Sequence, residues 1–247
     1  MSDNNIKHVI GVVSGKGGVG KSMTCSLLAC AMQRAGLKTG ILDADITGPS
    51  IPKMFGIHGR THMEDGKMAP AAAGCGVKLM SANLLLDRED EPVIWRGPLL
   101  NTMIKRFFEG VGWGELDVLL IDMPPGTSDV PLTVYQSLPI EGIVMISTPQ
   151  SLVEMIVKKA SSMAGALNIP LLALVQNFSY LSCPNCSEVI YPYGKGRGEE
   201  LAGELGTKIY AQIPWVLDAA QKCDAGEVSS IVIPEIDALA SALVSSI

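Results

Sequence analysis

A glycine-rich run near the amino terminus has the spacing of a phosphate-binding loop. The segment Gly15-Lys16-Gly17-Gly18-Val19-Gly20-Lys21-Ser22 fits the pattern G-x-x-x-x-G-K-[ST]. Glycines let backbone N–H groups close around phosphate oxygens, and a following helix adds its dipole. In such a loop Lys21 bridges the β- and γ-phosphates and the Ser22 hydroxyl ligates Mg²⁺. The run predicts a nucleoside triphosphate site; a chance glycine-rich turn is the alternative.

A second lysine, Lys16, stands near the start of this loop. A cation there can lie at the mouth of the site and reach a nucleotide held by a facing subunit, as an arginine finger does. The alternative is a solvated loop lysine. Lys16 and Lys21 are therefore both candidate catalytic residues.

Two acidic segments follow apolar runs. Leu119-Leu120-Ile121-Asp122 is an apolar strand that ends in an acid, the Walker B arrangement, and Asp43 ends an earlier apolar run. Ligands bind at the carboxyl edge of a parallel sheet, so both acids are expected there. We predict that Ser22, Asp43 and Asp122 hold Mg²⁺ or its water shell.

Two more groups are candidates for acting on the γ-phosphate. Asp45 could orient the attacking water, and the N–H of Gly126, in the turn after Asp122, could approach the phosphate. Alternatively, Asp43 and Asp45 only cap the turn before Pro49.

The sequence indicates the identity of the nucleotide base less clearly than it indicates the phosphate site. No Asn-Lys-x-Asp run, the usual guanine reader, occurs in the sequence, so ATP is favoured over GTP. Gln176-Asn177 could present an amide to adenine, although Asn after a strand is commonly a turn former.

Cys183-Pro184-Asn185-Cys186 places two thiols where both sulfurs can face one metal. A closed tetrahedral site or a four-iron cluster takes four thiolates, and one copy of the chain supplies two at this spacing. Three interpretations stay open: two subunits that pool their pairs around iron–sulfur or zinc, a thiol–disulfide centre, and an accidental pair. Cys25 and Cys30 are expected to be buried and inert in a helix, and Cys75 and Cys223 are isolated.

Short apolar runs alternate with longer stretches of helical period, which predicts an α/β fold with a mainly parallel sheet and helices on both faces. The predicted strands are His8–Val13, Thr39–Asp43, Val77–Ala82, Val118–Asp122, Gly142–Ser147, Leu171–Val175 and Lys208–Ile213. The predicted helices are Gly20–Ala35, Pro98–Gly110, Pro131–Leu138, Leu152–Leu167, Arg197–Leu205 and Pro234–Ser246. With the phosphate loop, this indicates a P-loop NTPase.

The same pattern shows no repeat and no break in composition. We therefore expect a single P-loop ATPase domain over residues 1–247, with a metal-binding loop around residues 178–195. The segment His58–Gly76 is predicted to be a long surface loop.

Composition excludes several classes of protein. The 247 residues are 47% hydrophobic and 18% charged, so a sizeable core is available and wholesale disorder is excluded. A net charge of −6 argues against non-specific nucleic-acid binding. No apolar run is long enough to span a membrane, and the start lacks the features of a signal peptide. We expect a cytoplasmic protein whose cysteines are thiols or metal ligands.

Taken together, the motifs resemble the deviant Walker A ATPases, the group containing MinD, ParA and the nitrogenase iron protein. More closely, the chain resembles the Mrp/ApbC-type iron–sulfur cluster carriers from about Ile6 to its end. Besides the phosphate loop, Asn177 and the cysteine pair, the resemblance rests on Asp43-Ala44-Asp45-Ile46-Thr47-Gly48-Pro49-Ser50, Trp95-Arg96-Gly97-Pro98, Asp122-Met123-Pro124-Pro125-Gly126-Thr127 and Ser147-Thr148-Pro149-Gln150.

The resemblance implies an ATPase that forms a homodimer and passes a labile [4Fe-4S] cluster to apo iron–sulfur proteins. Cys183 and Cys186 of each subunit would bridge the cluster. Lys16 would be the signature lysine, Asp45 the residue positioned for hydrolysis, and Asn177 and Pro214 ATP contacts.

Three departures from these relatives concern base contacts and coupling. Many relatives have an acid at the position of Gln176 and another near Ile156. They also usually continue Ile-Pro-Leu-Asp-Pro where this chain has Ile213-Pro214-Trp215-Val216-Leu217.

A MinD/ParA-like partitioning ATPase, with the cysteine pairs as a structural zinc clasp of the dimer, is the alternative function. Zinc and iron–sulfur clusters both accept thiolates, so the sequence does not separate them. Membrane binding of the MinD type needs a basic amphipathic C-terminal helix, whereas Pro234–Ile247 contains no Lys or Arg. We therefore expect neither a membrane nor a nucleic acid among the partners.

Overall fold

The helices and strands follow one another in βα alternation. The computed structural model describes residues 4–45, 48, 50–85, 97–127 and 129–247. Its strands are β1 (Asn5–Ser14), β2 (Thr39–Asp43), β3 (Met63–Glu64), β4 (Lys67–Met68), β5 (Ala71–Ala72), β6 (Lys78–Met80), β7 (Glu115–Asp122), β8 (Gly142–Ser147), β9 (Leu171–Gln176), β10 (Leu181–Ser182), β11 (Val189–Ile190) and β12 (Ile209–Gln212). The α-helices are α1 (Lys21–Arg34), α2 (Ile51–Met54), α3 (Gly97–Glu109), α4 (Asp129–Ser137), α5 (Ser151–Ala166), α6 (Gly198–Glu204), α7 (Ala219–Asp224) and α8 (Pro234–Val244).

The described strands build one large sheet in the order β12-β9-β8-β1-β7-β2-β6-β5. Neighbouring strands are parallel except for β5, which runs antiparallel to β6 at one edge. Two small antiparallel hairpins, β3–β4 and β10–β11, lie outside this sheet. The order brings the carboxyl ends of β1, β2 and β7 side by side at the centre of one sheet edge.

Apolar side chains cover both faces of the sheet, as the continuous apolar runs predict. One buried cluster joins Ile10 and Leu120 to helices α1, α7 and α8, and the other joins Leu119 and Ile121 to α3, α4, α5 and α6. Successive residues of a strand therefore contribute to opposite layers. This α/β/α arrangement confirms the predicted fold class.

Helix α1 is buried on almost every side over Thr24–Met32 because it packs against the sheet and against α8. It ends at Gly36, whose φ of 92° is the left-handed conformation that glycine adopts readily. The N–H groups of Gly36 and Leu37 donate to the carbonyls of Gln33 and Met32, at 3.0 and 3.1 Å. Gly36 is thus the C′ residue of α1.

All seven predicted strands and all six predicted helices are present, with bounds that differ by a few residues at their ends. The prediction of a long loop over His58–Gly76 is wrong in part, because hairpin β3–β4 and strand β5 lie within it. Helices α2 and α7 and hairpin β10–β11 were not predicted. Each of these elements is too short to show hydrophobic periodicity in the sequence. Ile46, Thr47, Pro49, Trp95 and Arg96, which the resemblance cites, lie outside the described residues.

Candidate functional site

The phosphate loop connects β1 to α1 at the centre of the sheet edge. Gly18 and Gly20 have φ angles of 78° and 80°, so these two positions need glycine. Val19 is buried between them and anchors the loop in the core. No side chain caps the start of α1, which leaves the N–H groups of its first turn facing the loop. This is the anion-binding arrangement predicted from the spacing.

Lys21 and Ser22 converge on Asp122 at the end of β7. The Lys21 ammonium donates to Asp122 Oδ1 at 2.6 Å, and the Ser22 hydroxyl donates to Asp122 Oδ2 at 2.6 Å. Lys21 and Asp122 are both buried, at 6% and 1% side-chain exposure. Burial raises the pKa of Asp122, and the neighbouring ammonium opposes that rise. The sheet thus brings three of the predicted site residues into direct contact.

Asp43 lies beside this group because β2 pairs with β7 in a register that places Asp43 opposite Asp122. The Ser81 hydroxyl donates to Asp43 Oδ2 at 3.0 Å. Burial and the nearby Asp122 carboxylate together raise the pKa of Asp43. Two carboxyl groups and a hydroxyl therefore share one buried edge, and hard oxygen donors of this kind suit Mg²⁺. A divalent cation would offset the repulsion between the two acids.

Asp45 follows two residues later and is half-buried. Its N–H lies 3.2 Å from Asp43 Oδ1, which fixes the turn after β2 at the same edge. The predicted Mg²⁺ ligands and the predicted water-orienting residue are therefore neighbours along the chain and in space.

Two other predicted contacts have partners within the chain. The Lys16 ammonium donates to Gln150 Oε1 at 2.9 Å, so this lysine is turned toward the start of α5. The N–H of Gly126 donates to the Ser14 carbonyl at 2.9 Å. The end of β1 accepts this N–H in the present conformation, and its approach to the γ-phosphate stays a prediction.

Asn177 lies directly behind the phosphate loop and is buried. Its Nδ2 donates to the Val19 carbonyl at 2.9 Å, and its Oδ1 has no hydrogen-bond partner in the described structure. A Cβ at Gly20 would lie 2.3 Å from Asn177 Nδ2, so the two are in close contact. A buried acceptor without a donor is costly, and the amino group of adenine would satisfy it.

Pro214 is brought to the same region by a short ladder beyond the sheet. The Ser179 N–H donates to the Ile213 carbonyl at 2.9 Å, and the Trp215 N–H donates to the Tyr180 carbonyl at 2.7 Å. The segments that follow β9 and β12 therefore run together. This places the predicted ATP contacts Asn177 and Pro214 on adjacent segments.

Gln176, where many relatives have an acid, is buried between the hairpin and the sheet. Its Nε2 donates to the Lys195 carbonyl at 3.0 Å, and its Oε1 accepts from the Tyr210 hydroxyl at 3.1 Å. A carboxylate could not donate to Lys195. The amide thus holds the end of the cysteine-containing segment against β9.

Cys183 and Cys186 lie in the loop of hairpin β10–β11. The Cys183 N–H donates to the Glu188 carbonyl at 2.9 Å, and the Ser187 N–H donates to the Cys183 carbonyl at 2.8 Å. Hydrogen bonds from the backbone N–H groups of Asn185 and Cys186 lower the pKa of the Cys183 thiol. Cys183 is half-buried and Cys186 is exposed. The loop therefore presents two thiols at the surface and stabilises one of them as the thiolate.

The donor set at the hairpin is incomplete within one chain. Among the described residues, no group of three or more His, Cys, Asp or Glu side chains is placed to hold a metal ion. A four-thiolate site would need two thiols from elsewhere.

An aromatic group, which sequence reasoning missed as a functional feature, lies between the nucleotide edge and the hairpin. The Trp215 ring stacks on Tyr193 at a centroid distance of 6.0 Å and contacts Phe178 at 5.2 Å. Phe178 follows Asn177 and has a φ of 55°, an unusual value for an aromatic residue. The departure at Trp215 from the pattern of the relatives was the available signal.

The remaining cysteines are partly as expected. Cys25 is buried in α1, and burial raises the pKa of its thiol. Cys223 is also buried. The expectation that Cys75 is isolated is wrong, because Cys75 packs against the core cluster that contains Cys30.

The chain matches a family model along almost its whole length. The model is described as ParA, the NUBPL iron-transfer P-loop NTPase, and it covers residues 5–247. The chain belongs to this family. As a family member it combines the P-loop NTPase fold with a surface thiol pair.

Individual relatives agree with this placement in the NUBPL family. An iron-sulfur cluster carrier protein from Clostridium perfringens is 44% identical over 236 residues, covering 92% of this chain and 83% of that protein. A solved nucleotide-binding protein from Archaeoglobus fulgidus, in complex with ADP, is 42% identical with a TM-score of 0.85; 94% of this chain and 90% of that chain are covered. The cell division ATPase MinD of Pyrococcus furiosus shares the fold at 15% identity, with a TM-score of 0.69 and coverage of 97% and 99%.

None of the helices in the described ranges is both long enough and apolar enough to cross a membrane.

Proposed function

We propose that the chain is an ATP-binding and ATP-hydrolysing carrier of iron–sulfur clusters. The observation that carries the proposal is the surface thiol pair of Cys183, which is half-buried, and Cys186, which is exposed, in one hairpin loop that begins six positions after the buried Asn177. The name of the Clostridium perfringens relative and the family description support iron–sulfur cargo over zinc.

The cargo is a [4Fe-4S] cluster held between two copies of the chain. Each copy offers two thiols, and such a cluster takes four thiolates. Two hairpins facing each other would complete the set. The partial exposure of Cys183 and the full exposure of Cys186 suit a cluster that must leave for an apo-protein.

ATP binds across the central sheet edge. Backbone N–H groups of Gly15–Ser22 surround the phosphates, and Lys21 moves from Asp122 toward the β- and γ-phosphate oxygens. Asn177 Oδ1 accepts from the adenine amino group, with Pro214 beside the base. Mg²⁺, held by Ser22, Asp122 and water on Asp43, supplies charge neutralisation of the phosphates.

Hydrolysis uses residues from both copies. Asp45 orients the attacking water at the γ-phosphate. Lys16 exchanges its hydrogen bond with Gln150 for a phosphate contact in the facing subunit, which adds positive charge where negative charge develops. The turnover is slow because the site is complete only in the dimer.

The aromatic group couples nucleotide binding to the cysteine hairpin that holds the cluster. Asn177 and Pro214 flank the base, and their neighbours Phe178 and Trp215 contact each other. Trp215 in turn stacks on Tyr193, beyond β11 of the hairpin. A shift of Asn177 toward adenine therefore alters the support of the hairpin.

The test is cluster transfer to an apo-form of a four-iron dehydratase, followed through the recovered dehydratase activity. We expect transfer by the wild-type protein, and no loading or transfer by Cys183→Ala that still binds ATP. Cys223→Ala, which removes a buried thiol away from the hairpin, serves as the matched control and should transfer. Transfer by Cys183→Ala at the wild-type rate would overturn the proposal.

A second readout compares transfer with ATP, with ADP and without nucleotide. Different rates support the proposed coupling. Identical rates in all three conditions would refute the coupling and leave a carrier whose ATPase serves another step.

A further inference from the structure

A tight turn at the far edge of the sheet lies directly on helix α1. Between β5 and β6 the Ala73 N–H donates to the Val77 carbonyl at 2.9 Å, and the Gly76 N–H donates to the Ala73 carbonyl at 2.8 Å. Gly76 has a φ of 94°, and a Cβ there would lie 2.8 Å from Gln33 Nε2 on α1. The tip of this turn is therefore fixed against one face of the helix.

Cys75 is at the tip, and Cys30 is on the facing side of α1, three residues before Gln33. Cys75 is half-buried against the core cluster that contains Cys30, and Cys30 is 2% exposed. Each thiol has the largest influence on the pKa of the other. Two cysteines distant in sequence thus lie in one packed cluster with their thiols near each other.

The surroundings make the two thiols unequal. The neighbouring Cys30 thiol lowers the pKa of Cys75 to about 6, with smaller contributions from the backbone at Val77 and from Arg34. The same contact, together with burial, raises the pKa of Cys30. The opposite shifts of the two pKa values favour Cys75 as the thiolate and Cys30 as the thiol.

We propose that Cys75 and Cys30 form a peroxide-reactive thiol pair, in which Cys75 is the nucleophile and Cys30 the resolving thiol. The Cys75 thiolate attacks one oxygen of hydrogen peroxide, the O–O bond breaks, and Cys75 sulfenic acid and hydroxide form. The Cys30 sulfur then attacks the Cys75 sulfur. The sulfenic oxygen leaves as water with the Cys30 proton, and a disulfide remains. Both thiols are oxidised, and the peroxide is reduced.

This disulfide would tie the edge of the sheet to the helix that begins at the phosphate loop. The pair is separate from the cysteine hairpin, so the proposal does not depend on the cargo proposed above.

Peptide mapping of the full chain tests the proposal. After treatment with hydrogen peroxide, blocking of free thiols and tryptic cleavage, we expect a disulfide-linked pair of the peptides Ser22–Arg34 and Met68–Lys78. Because the first peptide also contains Cys25, the variant Cys25→Ser is the matched control and should keep the link. Cys30→Ser should lose it and accumulate Cys75 sulfenic acid, which dimedone traps.

Two results would overturn the proposal. One is the absence of the linked peptides in the wild-type protein while dimedone labels Cys75 equally in wild type and Cys30→Ser. The other is a link that persists in Cys30→Ser and disappears in Cys25→Ser.

The pH dependence of alkylation is a second test. The rate at which iodoacetamide alkylates Cys75 should reach half of its maximum near pH 6, because the thiolate fraction rises with pH. A half-maximal rate above pH 8 would contradict the proposed nucleophile.

Discussion

The nucleotide edge and the cysteine hairpin are built in opposite ways. At the edge, Lys21 is buried at the start of α1 and Asp43 and Asp122 are buried at the ends of central strands, and each has a hydrogen-bond partner within the chain. The hairpin has strands of two residues and an exposed loop that carries Cys186. The edge is a fixed set of donors and acceptors, whereas the hairpin offers half of a ligand set on a surface element. The nucleotide edge thus has its predicted donors and acceptors within one chain, whereas a four-thiolate site at the hairpin would need two further thiols.

The largest effect on stability is expected from breaking the buried ion pair at the edge. Asp122→Ala leaves the Lys21 ammonium buried without its carboxylate, which costs about 3–5 kcal/mol of unfolding free energy. Urea denaturation measures the loss. The matched control is Glu115→Ala at the other end of β7, where the exposed pair with Lys38 is lost and the midpoint should hardly move. Equal losses in the two variants would show that the edge is not the rigid region.

A pair of glycine substitutions separates backbone strain from contact with Asn177. Gly18→Ala and Gly20→Ala both force alanine into a positive φ, which costs about 1–2 kcal/mol each. Only Gly20→Ala also places a Cβ 2.3 Å from Asn177 Nδ2, so it should lose a further ~1 kcal/mol or more and bind ATP more weakly. Denaturation and ATP titration of both variants check this. Weaker ATP binding by Gly18→Ala than by Gly20→Ala would contradict this expectation.

A smaller effect is expected at the hairpin. Trp215→Ala removes the stack on Tyr193 and the contact with Phe178, which is worth about 1 kcal/mol. Amide hydrogen exchange in β10–β11 should then become about fivefold faster, with little change at the nucleotide edge. Trp215→Phe keeps an aromatic ring and should exchange nearly as the wild type does. Uniform acceleration across the whole sheet would show that Trp215 supports the core instead.

The same contrast explains what the sequence could predict. The phosphate loop and Asp122 were predictable because local spacing and an apolar strand place them at one sheet edge. The contacts of the hairpin could not be predicted from the sequence. Strands of two residues show no hydrophobic periodicity, and the stack of Trp215 on Tyr193 joins two loops that are separate in the sequence. The Gly126 N–H illustrates another limit. Its type and place suited a phosphate contact, but only the fold shows that Ser14 accepts it.

The cysteines also differ in how far the sequence predicts their contacts. The spacing of Cys183 and Cys186 predicted only that both sulfurs can face one metal, and it left a redox pair and an accidental pair open. The contact between Cys30 and Cys75 depends on how the sheet edge packs against α1, which no local pattern encodes.

The central claim is that two chains share one cluster through the hairpin thiols. The most direct measurement is iron and acid-labile sulfide per chain after anaerobic reconstitution, together with the mass in solution by light scattering. We expect about four iron and four sulfide per two chains, in a dimer, with both lost in Cys183→Ser and kept in Cys223→Ser. Iron retained by Cys183→Ser, or tightly held zinc in place of iron in the wild-type protein, would contradict it.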